Sequence, residues 1–210
     1  MAITPKPRGR HHHGDLRRAL LDAVAEIVLE AGPDAVTLRE CARRAGVSHS
    51  AATPHFGDKR GLLTAFATER SERLRASMEA AVAALPPGAD AQAVLAATGH
   101  GYLAFARDSP AHFRLMFRTD LIDTTDPAWR QAATCARLPL DRAMAALLPT
   151  ADGRTLRSRL ALAWAAVHGF CALRTELPGS PFWTPEVAED LIGLLVRACA
   201  LPDAGSNPSN

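Results

Sequence analysis

Residues Thr37 to Phe56 read TLRECARRAGVSHSAATPHF. Thr37, followed three residues later by Glu40, has the form of a capping box, so a short helix is predicted to start there and to end near Ala45-Gly46. Gly46 can take the positive φ that a tight turn demands. Ser48 then caps a second short helix. Two short helices joined by a glycine turn cross at a steep angle. That geometry lets the second enter a major groove while the first braces against the backbone. Leu38, Cys41 and Val47 are predicted to pack inward, and Ala42 is small where the two helices approach. The candidate nucleic-acid contacts are Thr37, Ser48, His49, Ser50, Ala51, Thr53 and His55. Arg39, Arg43, Arg44, Lys59 and Arg60 flank the unit and can neutralise phosphates. An ordinary helical hairpin with solvated basic faces fits the same spacing.

The surrounding chain repeats this helical grammar. A first helix is predicted from Asp15, with Leu16, Leu20, Ala23, Val24, Ile27 and Val28 on one face, and Gly32-Pro33 stops it. Asp58 opens a fourth helix reaching about Leu85, where Pro86-Pro87-Gly88 breaks the chain. Another runs from about Ala89 to Arg107. Ser109-Pro110 and Asp126-Pro127 each read as an N-cap followed by proline in the first turn, and Pro139 predicts a kink in the second of these helices. Asp152 opens a long helix ending near Glu176, and Thr184-Pro185-Glu186 opens a last one reaching Leu201. Alternating apolar and polar runs are lacking. The fold class is therefore all-α, about nine helices, with the candidate helix-turn-helix unit near the N-terminus and a helical C-terminal domain after it. The expected division is a flexible basic arm at 1–13, a helix-turn-helix domain at 14–60, a larger helical domain at 61–201, to which the residues considered below assign ligand binding and dimerisation, and a disordered tail at 202–210.

Composition narrows the function class. Hydrophobic residues make up 48% of the 210, enough for a sizeable core, and no apolar run approaches the roughly 18 residues of a membrane span. No apolar stretch follows the basic start MAITPKPRGRHHHGDL, so a secretory signal is not expected and a cytoplasmic protein is. Cys41, Cys135, Cys171 and Cys199 lack CxxC spacing and are expected to be small buried apolar residues, with no metal or cofactor implied. Up to residue 60 there are ten cations against seven anions, and beyond it fourteen against fifteen. A basic end on a near-neutral body suits a polyanionic partner.

Three stretches, GDLRRALLDAV, GPDAVTLRECARRAGVS and HFGDKRGLL, resemble the N-terminal domain of the tetracycline-repressor (TetR) family of bacterial regulators over residues 13 to 66. The resemblance implies a three-helix reading head, a linking fourth helix, and a homodimer on a near-palindromic DNA operator. His11-His12-His13 before Gly14-Asp15 resembles the family's His-Gly-Asp entry to the first helix, which favours a basic arm over a metal site. Thr53 stands where the family usually carries a phosphate-contacting tyrosine. Pro54 removes a backbone donor and disfavours helical geometry in Thr53, so the reading helix is expected to end early.

The C-terminal half resembles the TetR subgroup whose ligand domain carries a Trp and a His-Gly pair, here Trp164, His168 and Gly169 in LALAWAAVHGFCALRTE. Spacing puts Trp164, His168 and Cys171 on one helical face, and Gly169 admits a neighbouring helix. The final helix offers Val187, Leu191, Ile192, Leu194, Leu195 and Val196, more apolar surface than one helix usually buries. The expected dimer interface is accordingly Trp164, Gly169, Val187, Leu191, Leu194 and Leu195. Tyr102, Phe105, Phe113, Met116, Phe117 and Trp129, with Trp164 and His168, are the candidate lining for a largely apolar small-molecule effector, and equally describe a plain core. Two rival readings remain at this point: a helical ligand-binding protein whose reading head has decayed, and a small enzyme using Cys171 beside His168. No GxSxG, HExxH or phosphate-cradling glycine loop supports the enzyme.

Overall fold

The computed structural model describes residues 13–201. The basic arm and the polar tail predicted from the sequence lie outside the described residues, as do His11 and His12 and the side chain of His13. The described chain is helical throughout: α1 (His13–Ala31), a 3-10 turn (Pro33–Ala35), α2 (Leu38–Arg44), α3 (His49–Phe56), α4 (Lys59–Ala83), α5 (Ala91–Asp108), α6 (Pro110–Met116), α7 (Pro127–Leu147), α8 (Gly153–Glu176) and α9 (Pro185–Ala200). Seven of the α-helices start at a side-chain cap. Thr37 accepts the Glu40 amide at 3.1 Å, Ser48 the Ala51 amide at 3.3 Å and Asp58 the Gly61 amide at 2.8 Å. Asp90, Asp126, Asp152 and Thr184 do the same for α5, α7, α8 and α9. Such caps satisfy amides that the first helical turn leaves bare, each stabilising by about 1 kcal/mol. Ser109 precedes Pro110 but makes no side-chain cap bond.

Two expectations are revised. The α3 helix does not end before Pro54; it passes through the proline to Phe56, and the Gly57 amide closes it on the Thr53 carbonyl at 2.8 Å. The donor that Pro54 lacks would have served the Ser50 carbonyl, and both residues are exposed, so solvent replaces that bond. The Thr37 capping box is half formed: Glu40 turns its carboxylate to Arg43 and Arg44 instead of back toward Thr37.

Two apolar clusters fill the interior. The first joins the buried face of α1 (Leu20, Val24, Ile27) to Leu38, Cys41 and Ala52 of the next two helices and to Leu62, Leu63 and Phe66 of α4. It also takes in Leu115 of α6 and Ile122 from the loop after it. The second gathers Met78, Leu95, Phe113, Met144, Val167 and Ile192 from α4 to α9. Full burial of one such side chain stabilises by about 1.5–3 kcal/mol. Helix α4 belongs to both clusters, so it ties the reading head to the body. Cys41, Cys171 and Cys199 are buried as expected; Cys135 is only half-buried, where Gln131 donates to its Sγ at 3.3 Å.

Candidate functional site

In the head, Gly46 takes φ 69°, and the turn it makes sends α3 across α2. Leu38, Cys41 and Ala42 are buried beneath, with Val47 packed against the same cluster. The outer surface of α3 presents Ser48, His49, Ser50 and Thr53 as exposed residues, with Ala51 and His55 half-buried. Their hydroxyls are partly committed. Ser48 and Ser50 share a bond of 2.9 Å, and the Thr53 hydroxyl donates to the His49 carbonyl at 3.2 Å.

The cations separate into two groups. Arg44 is held by three carboxylates: Glu30 at 2.6 Å, Glu40 at 3.0 Å and Glu26 at 3.5 Å. Arg43 also pairs with Glu40 at 2.6 Å. With Arg43 and then Arg44 as donors, the Glu40 carboxyl is pulled down to about 2. Lys59 donates to the Asp34 carbonyl at 2.9 Å, and Arg60 to the Ile122 carbonyl at 2.7 Å. Arg39 is exposed, at the start of α2 beside Thr37, and makes no ion pair among the described residues. The flanking residues singled out for phosphate contact thus include several that brace the head, while Arg39 remains available.

The body encloses a cavity of about 480 Å³. Of the candidate lining residues, Tyr102, Met116, Phe117, Trp129 and Trp164 reach it, whereas Phe105, Phe113 and His168 do not. Phe105 and Phe113 belong to the buried cluster instead. His168 stands behind the wall: its Nδ1 is hydrogen-bonded to the Tyr102 hydroxyl at 2.9 Å, and its ring lies 4.4 Å from that of Phe117 and 5.9 Å from that of Trp164. Burial lowers the His168 pKa, so the ring stays neutral and fixes Tyr102. Among the residues expected at an interface, Trp164 is 51% exposed and Leu194 60%, with Val187 also outward. Leu191 is half-buried, and a Cβ built on Gly169 would meet open space. Leu195 turns inward, 7% exposed, and lines the cavity.

Helix α6 connects cavity and head, a link that sequence reasoning missed. Its last residue, Met116, and the adjacent Phe117 line the cavity. One turn earlier, His112 is buried, and its Nε2 lies 3.0 Å from the Ala25 carbonyl of α1. A carbonyl only accepts, so Nε2 carries the proton, and the buried Nδ1 has no partner. Burial pushes the His112 pKa below the ordinary 6.5, the Ala25 bond opposes that shift, and Arg70 and Arg73 reinforce it. The unfolded chain therefore binds this proton at a higher pH than the folded one. The stability that neutral His112 contributes is complete above pH 6.5 and is lost as pH falls through its folded value. Thermal melts of wild type and His112→Gln across pH 7.5 to 5 check this: the wild type should lose melting temperature more steeply. Parallel profiles would refute the assignment. The sequence signal was a lone histidine in the short helix that follows Ser109-Pro110.

A family model described as "Bacterial regulatory proteins, tetR family" matches residues 20–66, and one described as "Tetracyclin repressor-like, C-terminal domain" matches residues 95–200. The chain belongs to the TetR family. It is a DNA-binding transcriptional regulator and not an enzyme. The HTH-type transcriptional regulator BetI of Escherichia coli (strain K12) is 37% identical over 86 residues, which is 41% of this chain and 44% of that relative. The match thus spans under half the length of the curated relative. A protein of unknown function from Rhodococcus sp. RHA1 has the same fold at TM-score 0.74 and 27% identity, covering 92% of this chain and 97% of its own. The multidrug-binding protein EbrR, solved with imidazole, shares the fold at TM-score 0.59 and 21% identity, over 90% of this chain and 97% of its own.

Burial pushes the Cys171 thiol up to about 12, so no thiolate is on hand for nucleophilic attack. Among the described residues there is no group of three or more His, Cys, Asp or Glu that could hold a metal ion, and no helix is long and apolar enough to cross a membrane.

Proposed function

We propose that the protein is an effector-responsive repressor that binds a near-palindromic operator as a homodimer in the cytoplasm, α3 of each copy entering the major groove. The observation that carries the effector response is α6, whose Met116–Phe117 end lines the cavity while His112 holds α1 of the head. A small, largely apolar molecule in the cavity bears on that end, so two positions of α6 have different affinities for it. A ligand preferring the position with the heads splayed lowers operator affinity by that difference. EbrR, built on the same fold, is a multidrug-binding protein, which supports a ligand role for the cavity.

Dimerisation is supported by the outward faces of α8 and α9, where Leu162, Trp164, Leu173, Val187 and Leu194 are exposed and Gly169 is open. A two-fold pairing of these faces covers them and supplies two heads. The Trp164, His168 and Gly169 set also supports membership of the Trp/His-Gly subgroup. The divisions we infer are an arm at 1–13, a head at 14–60, a ligand and dimer domain at 61–201 and a tail at 202–210.

The test is a mobility shift on DNA immediately upstream of the protein's own coding region, with and without candidate apolar metabolites, paired with sedimentation of the complex. Two chains per operator and release by a metabolite are expected. A monomer that ignores duplex at low ionic strength would overturn the reading. Arg39→Ala refines it. Losing one phosphate contact per head should flatten the slope of log affinity against log salt by about two for a dimer. Arg44→Ala, which leaves Glu26 and Glu30 without their cation and Glu40 with Arg43 alone, should lower the melting temperature and weaken binding without that change of slope.

A further inference from the structure

The geometry points to an amphipathic organic anion, an apolar body with a carboxylate head, as the molecule that fills the cavity; this rests on the cavity being the effector site proposed above. The walls are apolar and aromatic, but the lining is not neutral. Its charged members are Arg130 and Arg137, and neither an aspartate nor a glutamate lines it. The two arginines sit seven residues apart on α7, close to two full turns, so they share one side of that helix and stand about 10 Å apart along it.

The hydrogen-bond inventory leaves these guanidinium groups as the charged donors to spare, beside the neutral Thr119 hydroxyl and Trp129 indole N–H. Ser71, Thr98 and Thr134 line the cavity but spend their hydroxyl protons on carbonyls of their own helices, Ala67 at 3.0 Å, Val94 at 2.8 Å and Arg130 at 2.8 Å. The Tyr102 hydroxyl is engaged with His168 at 2.9 Å. Arg130 makes no side-chain bond among the described residues, and Arg137 gives only its Nε to Asp141 at 3.2 Å. Both arginines are exposed, so they stand at the rim, with the apolar body of the ligand directed inward. Aromatic walls alone would also favour a cation. A cation here would face Arg130, which has no ion-pair partner among the described residues, and Arg137, whose charge Asp141 offsets in part, with no carboxylate in the lining itself. A carboxylate instead finds charge-assisted donors with the planar fork that matches it.

Three probes with equal tails separate the possibilities: decanoate, decanol and decyltrimethylammonium, each below its micelle concentration. Binding to the full-length protein is read from the fluorescence of Trp129 and Trp164 in the cavity wall and from thermal shift. Decanoate should bind about three- to tenfold tighter than decanol, a modest factor because rim charges are screened by solvent. Decyltrimethylammonium should be the weakest of the three. The double variant R130Q/R137Q should bring decanoate down to the level of decanol and leave decanol unchanged. Equal binding of all three heads, a preference for the cation, or an undiminished decanoate preference in the double variant would overturn the anion assignment while leaving the cavity as an effector site. Failure of every tail to bind would overturn both.

Discussion

Gly61→Ala should cripple operator binding while leaving the body of the protein folded. Gly61 sits in the first turn of α4, and its amide donates to the Asp58 cap at 2.8 Å. A Cβ added there would fall well inside contact with the Phe56 carbonyl oxygen and 3.2 Å from its carbon. That obstacle is backbone at the end of α3, so no side-chain rotation relieves it, and α3 must move relative to α4 by about an ångström. Overpacking of this kind costs about 1–3 kcal/mol, which for a domain of this size lowers the melting temperature by roughly 3–10 °C. The effect on DNA should be larger. Base contacts depend on side chains held within hydrogen-bond range, and in a dimer both heads are displaced. A loss of at least about tenfold in affinity for the duplex that wild type selects is expected, with helix content by circular dichroism nearly unchanged. Wild-type affinity in a folded G61A protein would show that the contact at the α3–α4 joint is not restrictive.

Phe66→Ala should produce the largest stability loss of any single change considered. Phe66 is fully buried in the cluster that joins α1, α2, α4 and α6. Its ring meets His112 edge-on at 5.2 Å, and the Arg70 guanidinium lies over it at 4.7 Å. Truncation removes the transfer free energy of the ring and leaves a void, about 3–5 kcal/mol together. It also strips one face from a buried arginine whose Nε already has no partner and whose charge rests on Glu69 at 2.6 Å. We expect the melting temperature to fall by about 10 °C or more and Phe66→Leu to restore most of it. Because the ring backs the α6–α1 contact, effector release of DNA should weaken alongside. A melting temperature within a degree or two of wild type would mean that the surrounding helices collapse into the void.

Much of the fold was legible locally. Thr37, Ser48, Asp58, Asp126, Asp152 and Thr184 announce helix starts because a side-chain cap acts within three residues of itself, and Gly46 does the same for the turn. What escaped depends on residues distant in sequence. Nothing near Arg44 reveals that Glu26 and Glu30 of α1 claim it. Pro54 reads as a helix breaker until the exposure of Ser50 shows that the unserved carbonyl faces water. Aromatic content alone could not separate Phe105 and Phe113, which are core, from Trp129 and Phe117, which reach the cavity. On α9 the apolar arc opposite Glu186, Asp190 and Arg197 is wide enough to serve both the core and an interface, so the pattern alone did not say that Leu195 packs inward while Leu194, at the edge of the arc, faces out. The part played by His112 depends on a contact 87 residues away in the chain.

The inclusion of Leu115 and Ile122 in the cluster beneath α1 and α4 bears on how such regulators can be recombined. Arg60 donates to the Ile122 carbonyl at 2.7 Å, and the Asp123 amide donates to the Thr64 hydroxyl at 2.8 Å. A chimera that grafts a relative's reading head at a junction inside α4 would seat a foreign Leu63 and Phe66 against this chain's Leu115, and both loop bonds would depend on the donor's residues. Transplants that also carry α6 and residues 121–123 from the same parent keep that joint native. They should express and respond to effector where simple head swaps aggregate.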